Sequence, residues 1–363
     1  MGKQSARSIL ITGGAGFIGC NLAERLLADP SARVRIFDNL SRRGVEANLD
    51  WLQSLEGADR LEFLEGDVRN AAAVAAAARK ATEIYHFAAQ VAVTTSVADP
   101  RTDFEINAAG TLNVLEAARK SGQKPFVLFT STNKVYGALH RVPVTVSQTH
   151  YSAALPNFCG VREDEPLDFH SPYGCSKGAA DQYVRDYARI YDLPTVVFRM
   201  SCIAGPRQFG TEDQGWVAHF LYSTLERQPI TVYGDGFQVR DVLLVHDLID
   251  AMDAVRTHLP RSAGEIYNLG GGPARAVSVI EMLNGIEKAT GVSPSLQYSE
   301  VRPGDQPLYI ADTAKLAAHT GWHPRRSLQD TLQDIHDFWR SHKQLLRAHR
   351  DSAVSQELVQ EVA

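Results

Sequence analysis

A tyrosine and a lysine four residues apart, Tyr173 and Lys177, are the residues of this sequence with the clearest capacity for chemistry. On a helix, that spacing puts both side chains on one face, one turn apart. A neighbouring ammonium lowers the pKa of a phenol, so the phenolate could act as a base near neutral pH. The same pattern also arises by chance on solvated helix faces. It gains meaning only together with a second motif upstream in the chain.

The second motif is a glycine triplet, Gly13, Gly16 and Gly19, which directly follows the apolar run 8–12. Glycines between a strand and a helix allow a tight turn and a close approach of the backbone to a pyrophosphate at the N-terminus of the helix. Asp38 ends the next apolar run, where a carboxylate can accept both ribose hydroxyls and repels a 2′-phosphate. This favours NAD over NADP, although Arg42 and Arg43 argue mildly for NADP.

Alternating strand-like and helix-like segments supply the scaffold for these motifs. Apolar strands are predicted at 8–12, 34–38, 61–65, 83–87, 126–130 and 195–199. Helices are predicted between them at 17–28, 71–79, 103–120 and 172–191. The alternation predicts an α/β fold, a Rossmann-type doubly wound parallel sheet with right-handed crossovers.

After residue 200 the alternation loosens, which predicts a smaller C-terminal α/β domain for the substrate. Helices are expected there at 215–227, 245–258, 277–289 and 328–342, and short strands at 230–233 and 265–269. The predicted division is an NAD-binding domain over 1–200, a mainly substrate-binding domain over 201–346, and a flexible tail over 347–363.

Composition narrows the class of protein. The chain has 363 residues, 44% apolar and 22% charged, with a net charge of −5, so it is typical of a globular protein and gives no reason to expect nucleic acid or a membrane as partner. No apolar run approaches the roughly 20 residues that span a bilayer, and residues 1–7 lack the pattern of a signal peptide, so a cytoplasmic location is expected. The four cysteines form no C-x-x-C pair and no H-E-x-x-H is present, so no metal site is predicted.

Several runs of the chain resemble the extended short-chain dehydrogenase/reductase family of nucleotide-sugar epimerases and dehydratases, from Ile9 to about Trp339. The runs that carry the resemblance are 90–96, 130–137, 168–183, 205–209 and 213–217, and they are most similar to the CDP-paratose (CDP-tyvelose) 2-epimerase group. The resemblance implies an NAD-dependent homodimer or homotetramer that inverts C2 of a CDP-hexose through a transient 2-keto sugar. Two alternatives stay open: a 4-epimerase or dehydratase of another nucleotide sugar, and a non-catalytic NAD-binding scaffold.

Carried over position by position, the resemblance implies a catalytic set of Thr132, Tyr173 and Lys177. Predicted cofactor contacts, which also include Tyr173 and Lys177, are Gly13, Gly16, Phe17, Ile18, Asp38, Asn39, Asp67, Val68, Ala88, Ala89, Gln90, Asn107 and Thr130. Predicted substrate contacts are Gln90, Thr94, Asn133, Lys134, His170, Cys202, Arg207, Gln208, Trp216, Arg240, Arg302 and Asp305. Asn133 and Lys134 stand where a dehydratase usually has an acid–glutamate pair.

Several predicted contacts have a structural alternative. Arg240 and Arg302 are expected to hold a diphosphate by bidentate hydrogen bonds, but either could instead form a surface salt bridge. His170 could contact the hexose or help to cap the helix that follows it. Trp216 could stack on the base or pack in the core. The long segment 138–168 has no obvious elements and is expected to form a wall of the sugar pocket.

Overall fold

The computed structural model describes residues 7–302 and 304–360, and for 348–360 the backbone alone. Residues 1–6, which bear on the predicted absence of a signal peptide, and residues 361–363 of the predicted tail lie outside this range. Among the helices within it, none combines the length and the apolar character that crossing a membrane requires.

The strands and helices occur in the following order along the chain. The strands are β1 (Arg7–Thr12), β2 (Ala32–Asp38), β3 (Leu61–Glu65), β4 (Glu83–His86), β5 (Phe126–Thr132), β6 (Val144–Val146), β7 (Tyr151–Ala153), β8 (Thr195–Met200), β9 (Cys202–Ala204), β10 (Pro229–Tyr233), β11 (Val239–Leu244), β12 (Glu265–Leu269), β13 (Ala276–Ser278), β14 (Ser295–Ser299) and β15 (Leu308–Tyr309). The helices are α1 (Phe17–Leu27), α2 (Val45–Ser54), α3 (Ala71–Ala77), α4 (Val93–Ala98), α5 (Pro100–Phe104), α6 (Gly110–Lys120), α7 (Pro172–Tyr191), α8 (Trp216–Leu225), α9 (Val245–Thr257), α10 (Leu259–Ser262), α11 (Val279–Thr290), α12 (Ala314–Thr320) and α13 (Leu328–Gln360), which is kinked at His342. A π-helical turn, Glu105–Ala109, joins α5 to α6.

A parallel sheet of seven strands, in the order β12-β8-β5-β4-β1-β2-β3, forms the centre of the molecule. Its inner strands are buried along most of their length, which explains why they occur in the sequence as continuous apolar runs rather than alternating ones. The direction of winding reverses between β1 and β4, so a crevice opens at the carboxyl ends of these two strands. The predicted Rossmann-type α/β fold is confirmed.

A second layer of structure comes mainly from the chain after residue 200. There β11 pairs with β9, β13 and β15, β10 pairs with β14, and α8, α11 and α13 pack together in one apolar cluster. The chain also returns to the first layer. β12 pairs with β8 in the central sheet, and Leu248 and Met252 of α9 pack with Leu22 and Leu26 of α1. The division into two domains at residue 200 stays a prediction. Because β12 and α9 pack in the first layer, the parts before and after residue 200 interleave.

Most predicted elements are present with small shifts at their ends. β3, β12 and α7 begin and end at the predicted residues. Several short elements were not predicted. They are the helices α2, α4, α10 and α12 and the strands β6, β7, β9, β11, β13, β14 and β15. The hairpin β6–β7 lies in the segment 138–168, where no elements are expected from the sequence. These are short pieces with weak periodicity, and packing rather than local propensity decides whether such pieces form.

Candidate active site

The crevice at the carboxyl ends of β1 and β4 begins with the glycine turn. Gly13 has a φ of +68°, and a Cβ at this position would lie 2.6 Å from the nitrogen of Ala88, so only glycine fits. Gly16 is the N-cap residue of α1 and has no side chain to cap the helix, and the first residues of the helix, Phe17 and Ile18, line the cleft. Because the first N–H groups of a helix have no partner within it, this end of the cleft suits an anion such as a pyrophosphate.

Asp38 lies at the rim of the same cleft, at the end of β2. Its Oδ2 accepts a hydrogen bond from the Ala15 nitrogen at 3.1 Å, and its Oδ1 accepts one from the Leu40 nitrogen at 2.9 Å. Burial raises the pKa of the Asp38 carboxyl, and these two N–H groups oppose that shift. The carboxylate is therefore held in place while free lone pairs remain on both oxygens.

Asn39 and Asp67 line the cleft beside Asp38 and are joined to each other, with the Asn39 amide donating to Asp67 Oδ2 at 3.0 Å. Hydrogen bonds from the Arg69 guanidinium lower the pKa of Asp67 to about 2. Val68, Ala88 and Ala89 complete this part of the lining. The cleft has a volume of about 320 Å³.

Thr132, Tyr173 and Lys177 meet at the inner end of the cleft, together with Thr130. Thr132 ends β5, while Tyr173 and Lys177 lie on α7, where the Ser171 hydroxyl caps the helix by accepting from the Gly174 nitrogen at 3.0 Å. Lys177 Nζ donates to the carbonyl oxygen of Thr130 at 2.6 Å and lies 4.2 Å from the centroid of the Phe129 ring. The predicted catalytic set is thus brought together by the crossing of α7 over the end of β5.

The titration of these groups differs from the prediction. Burial raises the pKa of Tyr173 to about 12, and hydrogen bonding with Thr132 opposes the shift. Burial lowers the pKa of Lys177 to about 7, and Asp181 and Asp103 offset part of that shift. The expectation that the Lys177 ammonium lowers the pKa of Tyr173 is wrong in this structure, because desolvation dominates at both groups and the amine faces Thr130.

Two predicted cofactor residues, Asn107 and Gln90, lie outside the lining of the cleft. Asn107 is buried in the π-helical turn, donates to the Gln90 carbonyl oxygen at 3.1 Å and accepts from the Gln90 nitrogen at 3.0 Å. Its amide also reaches Asp103 Oδ1 at 3.0 Å. The Gln90 side chain bonds to the backbone of Ala92. These contacts position the loop that contains Ala88 and Ala89, and they occupy the N–H donors of the Asn107 amide.

A group of predicted substrate residues surrounds Asp305, next to the catalytic set. Asp305 Oδ1 accepts from Arg240 Nη2 at 2.6 Å and lies 3.7 Å from Lys134 Nζ. Burial, and the charge of Arg240, lower the pKa of Lys134 to about 8. The backbone nitrogen of Lys134 donates to Thr132 Oγ1 at 3.2 Å. Two cationic side chains therefore share one carboxylate, and one of them, Lys134, is two residues after Thr132 in the chain.

Asn133, Cys202, Gln208 and Trp216 complete the inner surroundings. Asn133 Nδ2 reaches Gln306 Oε1 at 3.5 Å. Cys202 and Gln208 line the cleft, and Trp216 Nε1 lies 2.7 Å from Cys202 Sγ while its ring packs edge-on against Phe220. Gln208 Oε1 is buried and accepts no hydrogen bond from the residues that the structure describes. An oxygen buried in that way at the cleft is a suitable acceptor for a ligand hydroxyl or amide.

Four other predicted substrate residues lie elsewhere. Arg207 is buried, stacks 3.4 Å above the centroid of the Trp51 ring and does not line the cleft, so its substrate role stays a prediction. Arg302 stacks on Tyr233 and pairs with Asp213 at 3.2 Å, which is the salt-bridge alternative. His170 is exposed and contacts Asp168, and Ser171 alone caps α7. Thr94 is exposed on α4.

Sequence reasoning missed several residues of the cleft, among them Met200, Ser201, Gln214 and Gly215. It also missed Gln306, whose amide bridges Asn133 and the carbonyl oxygen of Gly137. Gln306 directly follows the predicted Asp305, so its place beside that residue is an available signal. The other residues lie in irregular segments, and their positions depend on how the second layer meets the sheet.

The fold and the cleft define a class of proteins with a dinucleotide cleft and a Tyr-x-x-x-Lys helix over one parallel sheet. The family model described as GDP-mannose 4,6 dehydratase matches residues 10–335, and the chain belongs to that family. This confirms the resemblance to the extended short-chain dehydrogenase/reductases.

Known relatives correspond to the chain over nearly its full length. CDP-paratose 2-epimerase of Salmonella typhi is 42% identical over 338 residues, which cover 91% of this chain and 98% of that protein. UDP-glucose 4-epimerase of Mycolicibacterium smegmatis is 32% identical and covers 92% of this chain and 99% of its own length. The crystal structure of the dTDP-glucose 4,6-dehydratase DesIV of Streptomyces venezuelae, solved with NAD bound, has a TM-score of 0.80 at 29% identity and covers 93% of this chain and 98% of that one.

Proposed function

We propose that this protein is an NAD-dependent epimerase that inverts C2 of a CDP-hexose of the paratose type. The protein is a nucleotide-sugar epimerase or dehydratase of its family. The observation that carries the finer proposal is the 42% identity with CDP-paratose 2-epimerase along almost the entire chain, against 32% and 29% for the 4-epimerase and the dehydratase. The homodimer or homotetramer that the resemblance implies stays a prediction.

The residues of the cleft fit NAD, and the prediction of this cofactor is confirmed by its presence in solved members of the family. The glycine turn and the N-terminus of α1 would hold the pyrophosphate. The free lone pairs of Asp38 would accept the adenosine ribose hydroxyls and repel a 2′-phosphate. NAD, when bound, supplies the group that takes a hydride from the sugar carbon and returns it to the opposite face.

Tyr173 performs the proton transfer in this proposal. As the phenolate, Tyr173 takes the proton of the C2 hydroxyl while the carbon is oxidised, which makes it a phenol. The phenol returns that proton to the sugar oxygen when the 2-keto sugar has turned and is reduced. The Thr132 hydroxyl holds the phenol oxygen and the sugar oxygen in line. Because the pKa of Tyr173 is about 12 in the cofactor-free cleft, proton acceptance near pH 7 needs a positive charge in the occupied cleft.

The side chains around Asp305 would hold the nucleotide and sugar. Arg240 and Lys134 can release Asp305 and bind the diphosphate, which is the stronger anion. Gln208 Oε1 would accept a hydrogen bond from the ligand. Asn133 is an amide and cannot protonate a leaving hydroxyl, so the place of the dehydratase acid lacks the group that 4,6-dehydration needs. This favours epimerisation.

Isotopic labelling of a CDP-hexose at C2 tests the proposal. A hydride mechanism returns the hydrogen that it removed, so a product made from C2-deuterated substrate should keep its deuterium on the opposite face, by NMR. The same reaction in heavy water should add none at C2, and a sugar labelled at C4 should pass unchanged. Solvent deuterium at C2 would show deprotonation instead of hydride transfer, inversion at C4 would show a 4-epimerase, and binding of NAD without any turnover would show a scaffold.

A further inference from the structure

Three side chains that commonly ligate metals converge between the turn after β5 and the start of α7: His140, Asp168 and His170. Their donor atoms all lie within 4.8 Å of one another, and within the described part of the chain they are the one group of three with this property. His170 Nε2 lies 2.9 Å from Asp168 Oδ2, and the rings of His140 and His170 are 6.1 Å apart between centroids. All three side chains are exposed, so an ion can reach them from solvent.

The backbone segments that carry these ligands are held against each other. The Asp168 nitrogen donates to the Val135 carbonyl oxygen at 3.0 Å. Gly137, with a φ of +60°, passes so close to Asp168 that a Cβ would collide with the Asp168 carbonyl oxygen. Leu139 is buried in a small apolar cluster with Val135 and anchors the residue before His140. The backbone of the ligand residues is therefore held in place, and binding an ion requires rotation of the side chains only.

The distances fit a metal of the zinc type. Donor atoms around a tetrahedral Zn²⁺ with bonds of about 2.1 Å are separated by about 3.4 Å, a spacing that small rotations of side chains within 4.8 Å can reach. Imidazole nitrogens favour Zn²⁺, Ni²⁺ and Cu²⁺ over Mg²⁺ and Ca²⁺, which prefer oxygen ligands. Two neutral imidazoles and one carboxylate give a net charge of −1, which attracts a divalent cation.

We propose that His140, Asp168 and His170 bind a divalent transition-metal ion, represented by Zn²⁺, with a fourth position open to water. The sequence analysis predicted no metal site because the chain has no C-x-x-C or H-E-x-x-H motif, in which the ligands are close together in sequence. His140 and Asp168 are 28 positions apart in the chain, so no local sequence motif indicates that they lie together.

Metal binding at this place should affect turnover. The ligands lie on the two segments that lead to the catalytic residues: His140 follows the turn Asn133–Tyr136, and His170 precedes Tyr173 by three residues. A bound ion would tie these segments together and hold His170 on the metal, away from any sugar. This consequence rests on the proposed epimerase function, whereas the binding itself does not.

Calorimetric titration of Zn²⁺ into the full-length, untagged protein tests the site. One equivalent should bind in the micromolar range, and His140→Ala and Asp168→Asn should each weaken binding by more than about tenfold, since losing a ligand exceeds the effect of losing an outer-shell partner. His150→Ala is the matched control, because His150 pairs with Glu281 elsewhere on the surface at 2.9 Å, and it should bind Zn²⁺ as the parent protein does. Absence of binding, or equal affinity in His140→Ala, would overturn the proposal.

An activity assay tests the coupling separately. Saturating Zn²⁺ should slow the parent enzyme, while the rate of His140→Ala should be the same with and without Zn²⁺. Binding at the site without slowing would reject the coupling and retain the site. If the protein turned over no CDP-hexose, the calorimetry would still decide the metal site, so the two proposals can fail independently.

Discussion

Tyr173 and Lys177 are 9% and 3% exposed, and each is shifted toward its uncharged form. The pKa of the phenol rises to about 12 and that of the amine falls to about 7, because both lose water on burial. The cleft without its cofactor is thus an unfavourable environment for charge beside Thr132. Proton transfer by Tyr173 therefore needs a bound ligand that changes the electrostatic environment of the phenol.

Removing the phenol oxygen should abolish most turnover. Tyr173→Phe keeps the ring and the packing but has no group to accept the sugar proton, so kcat should fall by roughly 10²–10⁴-fold with the circular dichroism unchanged. Tyr183→Phe, at an exposed position of the same helix, is the control and should retain the parent rate. Near-normal turnover of Tyr173→Phe would place the base elsewhere, with His170 the next candidate.

The buried amine should make stability depend on pH. The pKa of Lys177 is about 7 in the folded protein and 10.5 for a lysine in water, so the unfolded chain binds more protons between these values and stability should rise with pH across that window. Below about pH 7 Lys177 is charged in the folded protein as well, so folding carries the full cost of burying the ammonium. Lys177→Met removes it and should stabilise the cofactor-free protein there by roughly 1–4 kcal/mol.

Denaturant unfolding at pH 6 and at pH 10 measures this difference. The gain from Lys177→Met should be large at pH 6 and small at pH 10. Lys288→Met, an exposed lysine of α11, should show no such dependence. An equal gain at both pH values would mean that packing, not charge, explains the stabilisation.

At the scale of elements, α7 must sit in one register on the sheet for Tyr173 to reach Thr132. A buried ion pair fixes that register. Arg199 of β8 donates Nε to Asp181 Oδ2 at 2.8 Å and Nη2 to Asp181 Oδ1 at 2.9 Å, and Arg199 Nη1 reaches the Tyr136 hydroxyl at 3.0 Å. The pair joins the middle of α7, the sheet, and the turn after β5.

Breaking this pair should cost much of the stability of the protein. Asp181→Ala leaves the Arg199 charge buried without its carboxylate, at a cost of roughly 3–5 kcal/mol in the free energy of unfolding. Asp186→Ala, an exposed aspartate of the same helix, should stay within about 0.5 kcal/mol of the parent. Denaturant unfolding measures both, and a loss below about 1 kcal/mol for Asp181→Ala would show that other contacts fix α7.

At the scale of the whole molecule, the cleft is lined from both layers, with Gly13 and Asp38 on the sheet side and Gln208 and Gly215 on the other. Arg42, from the loop after β2, contacts Gln214 across the cleft. A ligand between the layers therefore contacts the main core and the C-terminal part at once, and its binding energy should stabilise the native state as a whole.

NAD added to cofactor-stripped protein should raise the unfolding free energy by about 2.7 kcal/mol at 100 times its dissociation constant. Thermal unfolding with NAD and with NADP at equal concentration measures the preference, and NAD should stabilise more. Asp38→Ala should reduce the shift with NAD, whereas Asp50→Ala, an exposed residue of α2, should preserve it. Greater stabilisation by NADP would favour Arg42 and Arg43 over Asp38 as the determinant of cofactor choice.

Local sequence was enough to predict the fold class, the glycine turn, Asp38 at the end of β2, and the full extent of α7 over Pro172–Tyr191. Each of these depends on local properties: apolar periodicity, the φ that only glycine adopts easily, and helix signals such as Ser171 and Pro172. Tertiary packing alone determined which of the predicted polar residues contact each other.

Arg207 and Arg240 look alike in sequence, yet one packs on Trp51 and the other pairs with Asp305. The pKa of Tyr173 and the convergence of His140 on His170 likewise depend on segments that are distant in the chain. Burial and distance between such segments are set by the packing of the two layers, and no local pattern encodes them.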